Sequence, residues 1–289
     1  MNQIQTTTNI PELTLEHFNR YSTHEIMGIC ELNKVGDIEV DIGEVEGLKY
    51  LKAHNVLKRP LELRDFMLNF PAENKEKSAV EGHSFSGSKS PGLQQPVERV
   101  FMTFLGYQLY DLCKQYNFLK YKKDAITWKY YTNYYYNGMR AFNKNYLPHV
   151  DPFSFAANIF VTDSSEHGTS FFKYVDPVTE KSFYSMAGVM SAGREISKRY
   201  MDGLSERYGY KISDPDTSEN QFRETGMMQC TNGDSEWVHY EGDDFYQRYH
   251  FLPSTFNSLS MYRGNRWHSA TFDPKNSKGG RYSMVAVIL

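Results

Sequence analysis

Cysteine is scarce in this chain: Cys30, Cys113 and Cys230 are the three in 289 residues. They lie far apart, are odd in number and never form a C-x-x-C pair. That excludes a disulfide framework and a zinc knuckle, and leaves reduced thiols in a core as the expectation. Long apolar runs are missing too, since none reaches the roughly 20 residues that a membrane-crossing helix needs. The polar stretch from Met1 to Pro11 lacks the basic patch and apolar run of a secretory signal, so a cytoplasmic protein is expected. Charge of one sign is also absent: 32 Lys and Arg stand against 35 Asp and Glu, for a net charge of −3. Without a clustered basic footprint to grip phosphates, nucleic acid is a poor partner, and a small-molecule or peptide substrate is the better one. The sequence does not speak to oligomeric state.

Aromatic residues are abundant. They make up 15% of the chain, with 22 Tyr and 19 Phe, and side chains of this type suit the pleated, half-buried surface of a sheet. The chain divides into a mostly helical support region, 1–125, and a strand-rich core, 126–289, expected to form one integrated domain. In the first region Leu13 to Tyr21 and Pro60 to Asn69 have helical character, the latter with Pro near its start. The stretch 72–96 is polar and rich in Ser, Lys and Gly, which predicts a mobile loop. Helical spacing resumes over Val100 to Tyr116. From Thr127 to Tyr136 the chain is β-branched and aromatic and ends in Asn137-Gly138, a strand followed by a turn. Further strands are expected at Ser154–Thr162, Thr169–Tyr174, Trp237–Tyr240, Phe256–Tyr262 and Tyr282–Leu289, with a helix over Met186–Tyr208. Helices first and short strands after them predict an α+β protein whose main element is a jelly-roll barrel.

The chemistry concentrates in a few residues. In Asn145-Tyr-Leu-Pro-His-Val-Asp-Pro152, His149 and Asp151 are two apart, so on extended chain they face one cavity. Two His and one carboxylate on one face of a metal, with the opposite face open, is the arrangement that lets iron(II) take a bidentate cosubstrate and oxygen. His268 is the candidate third ligand. Arg281 follows across the turn-like segment 273–280, on the next strand, where its guanidinium suits a bidentate clamp on a carboxylate. Ser283, two residues on, can add a hydroxyl donor on the same face.

With Pro148-His149-x-Asp151, Gly168-Thr-Ser-Phe-Phe172, His268 and Arg281-x-Ser283 in this order, the sequence resembles the iron(II)/2-oxoglutarate-dependent dioxygenases, most closely their prolyl-hydroxylase-like branch. The resemblance covers mainly 126–174 and 256–289. It implies a double-stranded β-helix, a cupin-like barrel, with the N-terminal helices packed on one sheet. It implies iron(II) on His149, Asp151 and His268, and 2-oxoglutarate held by Arg281 and Ser283. A tyrosine among 134–136, with Tyr134 and Tyr136 as candidates and the inward-facing one left open, joins them. It also implies a reaction in which O2 and 2-oxoglutarate give succinate and carbon dioxide while a C–H bond of the substrate is hydroxylated. That substrate is a peptidyl residue such as proline, a free amino acid or a related metabolite. In the family's halogenating members a small residue replaces the carboxylate, so Asp151 argues for hydroxylation.

Other readings compete with these. A second His-x-Glu, His239-Tyr-Glu241, lies in an acidic stretch without a following apolar strand and ranks below His149. His167 suits a turn, and His83 falls in the expected loop. The Tyr-rich strand is read as barrel wall rather than a stacking platform for bases. The segment 176–253 is an insertion with no familiar motif. The alternatives in function are a nucleic-acid oxidative demethylase and a noncatalytic cupin-like binding module.

Overall fold

The computed structural model describes residues 22–69, 73–74, 88–89, 104–118, 131–135, 148–150, 155–161, 168–208, 242–271 and 281–288. Leu13 to Tyr21, Trp237 to Tyr240 and Cys230 lie outside them. The chain forms α1 (Thr23–Ile29), β1 (Glu39–Val45), β2 (Leu48–His54), α2 (Pro60–Asn69), β3 (Glu73–Asn74), β4 (Ser88–Lys89) and α3 (Gly106–Gln115). There follow β5 (Tyr131–Tyr135), β6 (Phe155–Phe160), β7 (Gly168–Val175), β8 (Ser182–Phe183), α4 (Met186–Ser191) and α5 (Arg194–Tyr208). The last strands are β9 (Tyr246–Pro253), β10 (Ser258–Tyr262), β11 (His268–Thr271) and β12 (Arg281–Ile288).

The protein is therefore mixed α+β. Its strands pair antiparallel in two sheets, and among the described residues the sheets are not closed into one barrel. The large sheet runs β1-β2-β10-β6-β12-β5-β4-β3. In the small sheet β7 is central, with β9 along one edge and β11 and β8 along the other. Two parts of this were not anticipated. The N-terminal region supplies a β-hairpin, β1 and β2, and β2 docks on β10 as an extension of the large sheet. Its two-residue turn has positive φ at both Glu46 and Gly47, the geometry that matches strand twist. Within the stretch 72–96, β3 pairs with β4 and β4 with β5, so at these positions the chain extends the sheet. The segment 176–253 supplies α4, α5 and β9. The single helix expected over Met186–Tyr208 is broken at Gly193, whose φ of +110° ends one helix before the next begins.

Alternation decides what each sheet faces. On the large sheet Leu51, Ala53, Ala157, Ile159, Leu259 and Met261 pack outward against α1, α2 and α3, through Ile26, Leu63, Leu109 and their neighbours. Cys30 and Cys113 are buried free thiols in this layer, as expected from their isolation. On the small sheet Phe172, Tyr174, Tyr246 and Trp267 meet Ile196, Tyr200 and Leu204 of α5. Between the sheets, Leu48, Ala156 and Tyr262 from the large one meet Phe171 and Leu252 from the small one. Among the described residues no helix is long and apolar enough to cross a membrane.

Candidate functional site

His149 and His268 meet. They form an isolated antiparallel bridge in which each backbone N–H donates to the other's carbonyl at 2.9 Å. Directly opposed residues of an antiparallel pair place their side chains on one face. The two imidazoles lie there with ring centroids 4.4 Å apart and planes tilted by 48°. They are 6% and 4% exposed.

The same register continues across the small sheet, because His268 is opposite Phe171 and Phe171 is opposite His250. One row therefore reads His149, His268, Phe171, His250. The large sheet meets this row with aromatic rings. Tyr262 lies edge-on to both Phe171 and His268, at 4.9 and 5.2 Å, and its hydroxyl accepts from Asn158 Nδ2 at 3.0 Å. Tyr50 stacks on His250 at 4.9 Å.

The orientation of His268 is fixed from two sides. Its Nδ1 donates to the Arg266 carbonyl at 2.8 Å; a carbonyl can only accept, so Nδ1 carries the proton and Nε2 is the ring's acceptor. The preceding Trp267 is stacked on Tyr200 of α5, centroids 5.5 Å and planes 19° apart, and its backbone N–H donates to the Tyr184 carbonyl at 3.0 Å. The Tyr184 hydroxyl donates to Glu46 at 2.7 Å, while Arg266 Nη2 donates to the Gly47 carbonyl at 3.0 Å. The hairpin turn is thereby fastened beside the imidazole pair. Burial, with the Glu46 carboxylate, pushes the Tyr184 phenol up to about 12.

The ring spacing is compatible with two ligands of one ion. With a bond of about 2.1 Å to nitrogen and about 1.1 Å more to the ring centre, two imidazoles at right angles on one ion have centres about 4.5 Å apart. The observed spacing matches this, and a His whose Nδ1–H is held by a carbonyl is the usual metal-binding tautomer. Among the described residues no group of three or more His, Cys, Asp or Glu gathers as a cage. Asp151, the expected third ligand, lies outside those residues, as do Tyr136, His83, His167, His239 and Glu241.

Arg281 opens β12, directly opposite Tyr135 of β5, and Ser283 is opposite Asn133 on one side and Phe160 on the other. Tyr134 is opposite Tyr282. By strand alternation Tyr135 is the tyrosine in step with Arg281 and Ser283, and Tyr134 is one residue out of step. Sequence reasoning passed over His250, Tyr249, Tyr50 and Asn158. The available signal was the polar and aromatic run Tyr246-Gln-Arg-Tyr-His-Phe-Leu252, whose alternation is interrupted by a bulge.

No protein-family model and no curated protein matches this chain.

Proposed function

We propose that the protein is an iron(II)- and 2-oxoglutarate-dependent oxygenase that hydroxylates a C–H bond of a small molecule or peptidyl residue. The observation that carries this reading is the inward-facing His149–His268 pair, whose ring spacing suits two ligands of one ion. The winding of the strands supports it. From β5 onward, successive segments fall in the large sheet, the small one (148–150), the large (β6), the small three times (β7, β8, β9), the large (β10), the small (β11) and the large (β12). Passage back and forth between two sheets is what a double-stranded β-helix would have, with the metal ligands at the mouth between the two sheets.

In this reading His149, Asp151 and His268 hold iron(II), which when bound supplies the activation of oxygen coupled to decarboxylation of the 2-oxo acid. The chain's own residues do the rest. The Arg266 carbonyl keeps the proton of His268 on Nδ1 and so leaves Nε2 as the donor to metal. Trp267, clamped by Tyr200, prevents the ring from turning. Phe171 and Tyr262 wall the interior and keep it dry. Arg281 anchors the far carboxylate of the cosubstrate, with Ser283 and a tyrosine of β5 beside it. Arg281 precedes Val285, the partner of Asn158, by about 13 Å of strand at roughly 3.3 Å per residue, a span shared between a guanidinium side chain and a five-carbon diacid.

The test is turnover of the cosubstrate. Protein purified without oxygen is given iron(II), 2-oxoglutarate and then oxygen, and succinate is quantified. Wild type is expected to form succinate, and His149→Ala and His268→Ala to lose at least about 100-fold, the upper end of what loss of a mere outer-sphere partner costs. Equal yields from wild type and both variants would remove the site.

A further inference from the structure

Strand β9 carries one residue more than the stretch of β7 it faces. Phe171 is opposite His250 and Phe172 is opposite Arg248, which makes Tyr249 a bulge. Bulges re-aim side chains and concentrate next to functional sites. Here the bulge turns two consecutive residues to the interior. Tyr249 packs against the cluster of Phe171, Leu252 and Tyr262, with its ring edge-on to Tyr184 at 5.2 Å. The His250 ring lies on Tyr50. Tyr50 can reach it because its partner on β1 is Gly43, where a Cβ would stand 2.2 Å from the Tyr50 hydroxyl.

The Tyr249 hydroxyl and His250 Nε2 are sealed from solvent and make no hydrogen bond to any described residue. Ser260 Oγ is in the same state on the facing sheet. Ser260 is 0% exposed, precedes Tyr262 by two along β10, and is opposite Asn158 in register. Buried polar atoms of native proteins are nearly always bonded, so the Tyr249 hydroxyl and His250 Nε2, consecutive in the chain, mark groups that a ligand would complete. The surroundings define its chemistry. Around Tyr249 and His250 the rings of Tyr50, Phe171 and Tyr262 are uncharged; Arg266 and Glu46 are bound to the Gly47 carbonyl and the Tyr184 hydroxyl, and Lys52 lies further along the facing sheet, directly opposite Ser260. Burial pushes the His250 imidazole down and the Tyr249 phenol well up, so at neutral pH both are neutral. They offer donors and acceptors but no counterion. Two interstrand steps of about 4.8 Å place His250 about 10 Å from His268 along the row, the length of a small substrate.

We propose that Tyr249 and His250 form a head-group subsite, which holds an uncharged hydrogen-bonding group of the amide class on a small substrate whose other end reaches His149 and His268. That this ligand is oxidised rests on the oxygenase reading; that it binds here does not.

The test separates the two. Binding to the full chain is measured by saturation-transfer NMR for three matched pairs: asparagine and aspartate, glutamine and glutamate, N-acetylprolinamide and N-acetylproline. At least one amide is expected to bind about tenfold more tightly than its carboxylate partner, and Tyr249→Phe to abolish that preference, since one hydrogen bond is worth about tenfold. Because Tyr249→Phe deletes an oxygen with no partner among the described residues, its melting midpoint should stay level or rise by about 2–4 °C. A lower midpoint would mean a structural hydrogen bond and overturn the subsite. So would equal binding within every pair, an unaltered preference in the variant, or no amide binding at millimolar concentration. Succinate is measured alongside. Amide binding without turnover leaves the subsite standing and counts against the oxygenase alone.

Discussion

Replacing Asp176 by Asn probes how α5 is held over the small sheet behind His268. The carboxylate is 0% exposed just past the end of β7 and accepts from Arg199 Nε at 2.7 Å, Arg199 Nη2 at 2.9 Å, Thr179 N at 2.8 Å and Thr179 Oγ1 at 2.6 Å. Asn keeps the shape but turns an NH2 toward donors and removes the charge opposite a guanidinium that is 27% exposed. Breaking a buried pair costs about 3–5 kcal/mol, and because Arg199 can turn partly to water the lower end, about 3 kcal/mol, is expected. At about 2–4 °C per kcal/mol the melting midpoint should fall by roughly 6–12 °C at pH 7. The pH dependence follows from the direction of the shift. The Arg199 guanidinium, first among the causes, holds the Asp176 carboxyl well below the usual carboxylate range. A depressed folded-state value contributes stability fully present above the unfolded value of about 3.9 and lost as pH falls through the folded one. The gap between wild type and Asp176→Asn should therefore be constant from pH 8 to about pH 5 and narrow steadily below about pH 4. Calorimetric melts over that range decide it. A variant within about 2 °C of wild type at pH 7, or a gap as wide at pH 2.5 as at pH 7, would refute the account.

Two further substitutions test the interior. A Cβ at Gly168 would stand 2.1 Å from the Leu252 carbonyl oxygen, a backbone atom that cannot move aside, so Gly168→Ala should separate β7 from β9 and cost more than about 3 kcal/mol, read by urea unfolding; a loss below about 1 kcal/mol would show that the strands adjust. Phe171 is fully buried between His268 and His250, so Phe171→Ala should cost about 3–5 kcal/mol and, if the oxygenase reading holds, release succinate formation from dependence on added substrate.

Much of the scaffold could be read in the chain because its signals were local. Pro60 marks the start of α2, and the run Phe-Ala-Ala-Asn-Ile-Phe of β6 is buried at every position, which leaves little besides a central strand. His149 and His268 could be paired on paper because a second imidazole was sought for the first, and the structure brings the two rings together. The hairpin Glu39–His54 was hidden by its position. An edge strand such as Glu-Val-Asp-Ile-Gly-Glu-Val alternates charge with small apolar residues and has no core-like run. Strand β9 was hidden by its bulge, since one extra residue shifts the alternation in mid-strand. Register was out of reach for the same reason: that Tyr135 and not Tyr134 is opposite Arg281 depends on a one-residue offset between two distant segments.

The bridge between His149 and His268 also ties the timing of assembly to the centre. The rings come from segments that are neighbours only after β6, β7, α4, α5, β9 and β10 have been laid between them. Closing so long a loop adds little to the equilibrium free energy, because that cost grows only logarithmically with length, but contacts of this range slow folding. The pair cannot exist before β11 has docked, so an ion captured by it would report that docking and act as a clasp on the finished molecule.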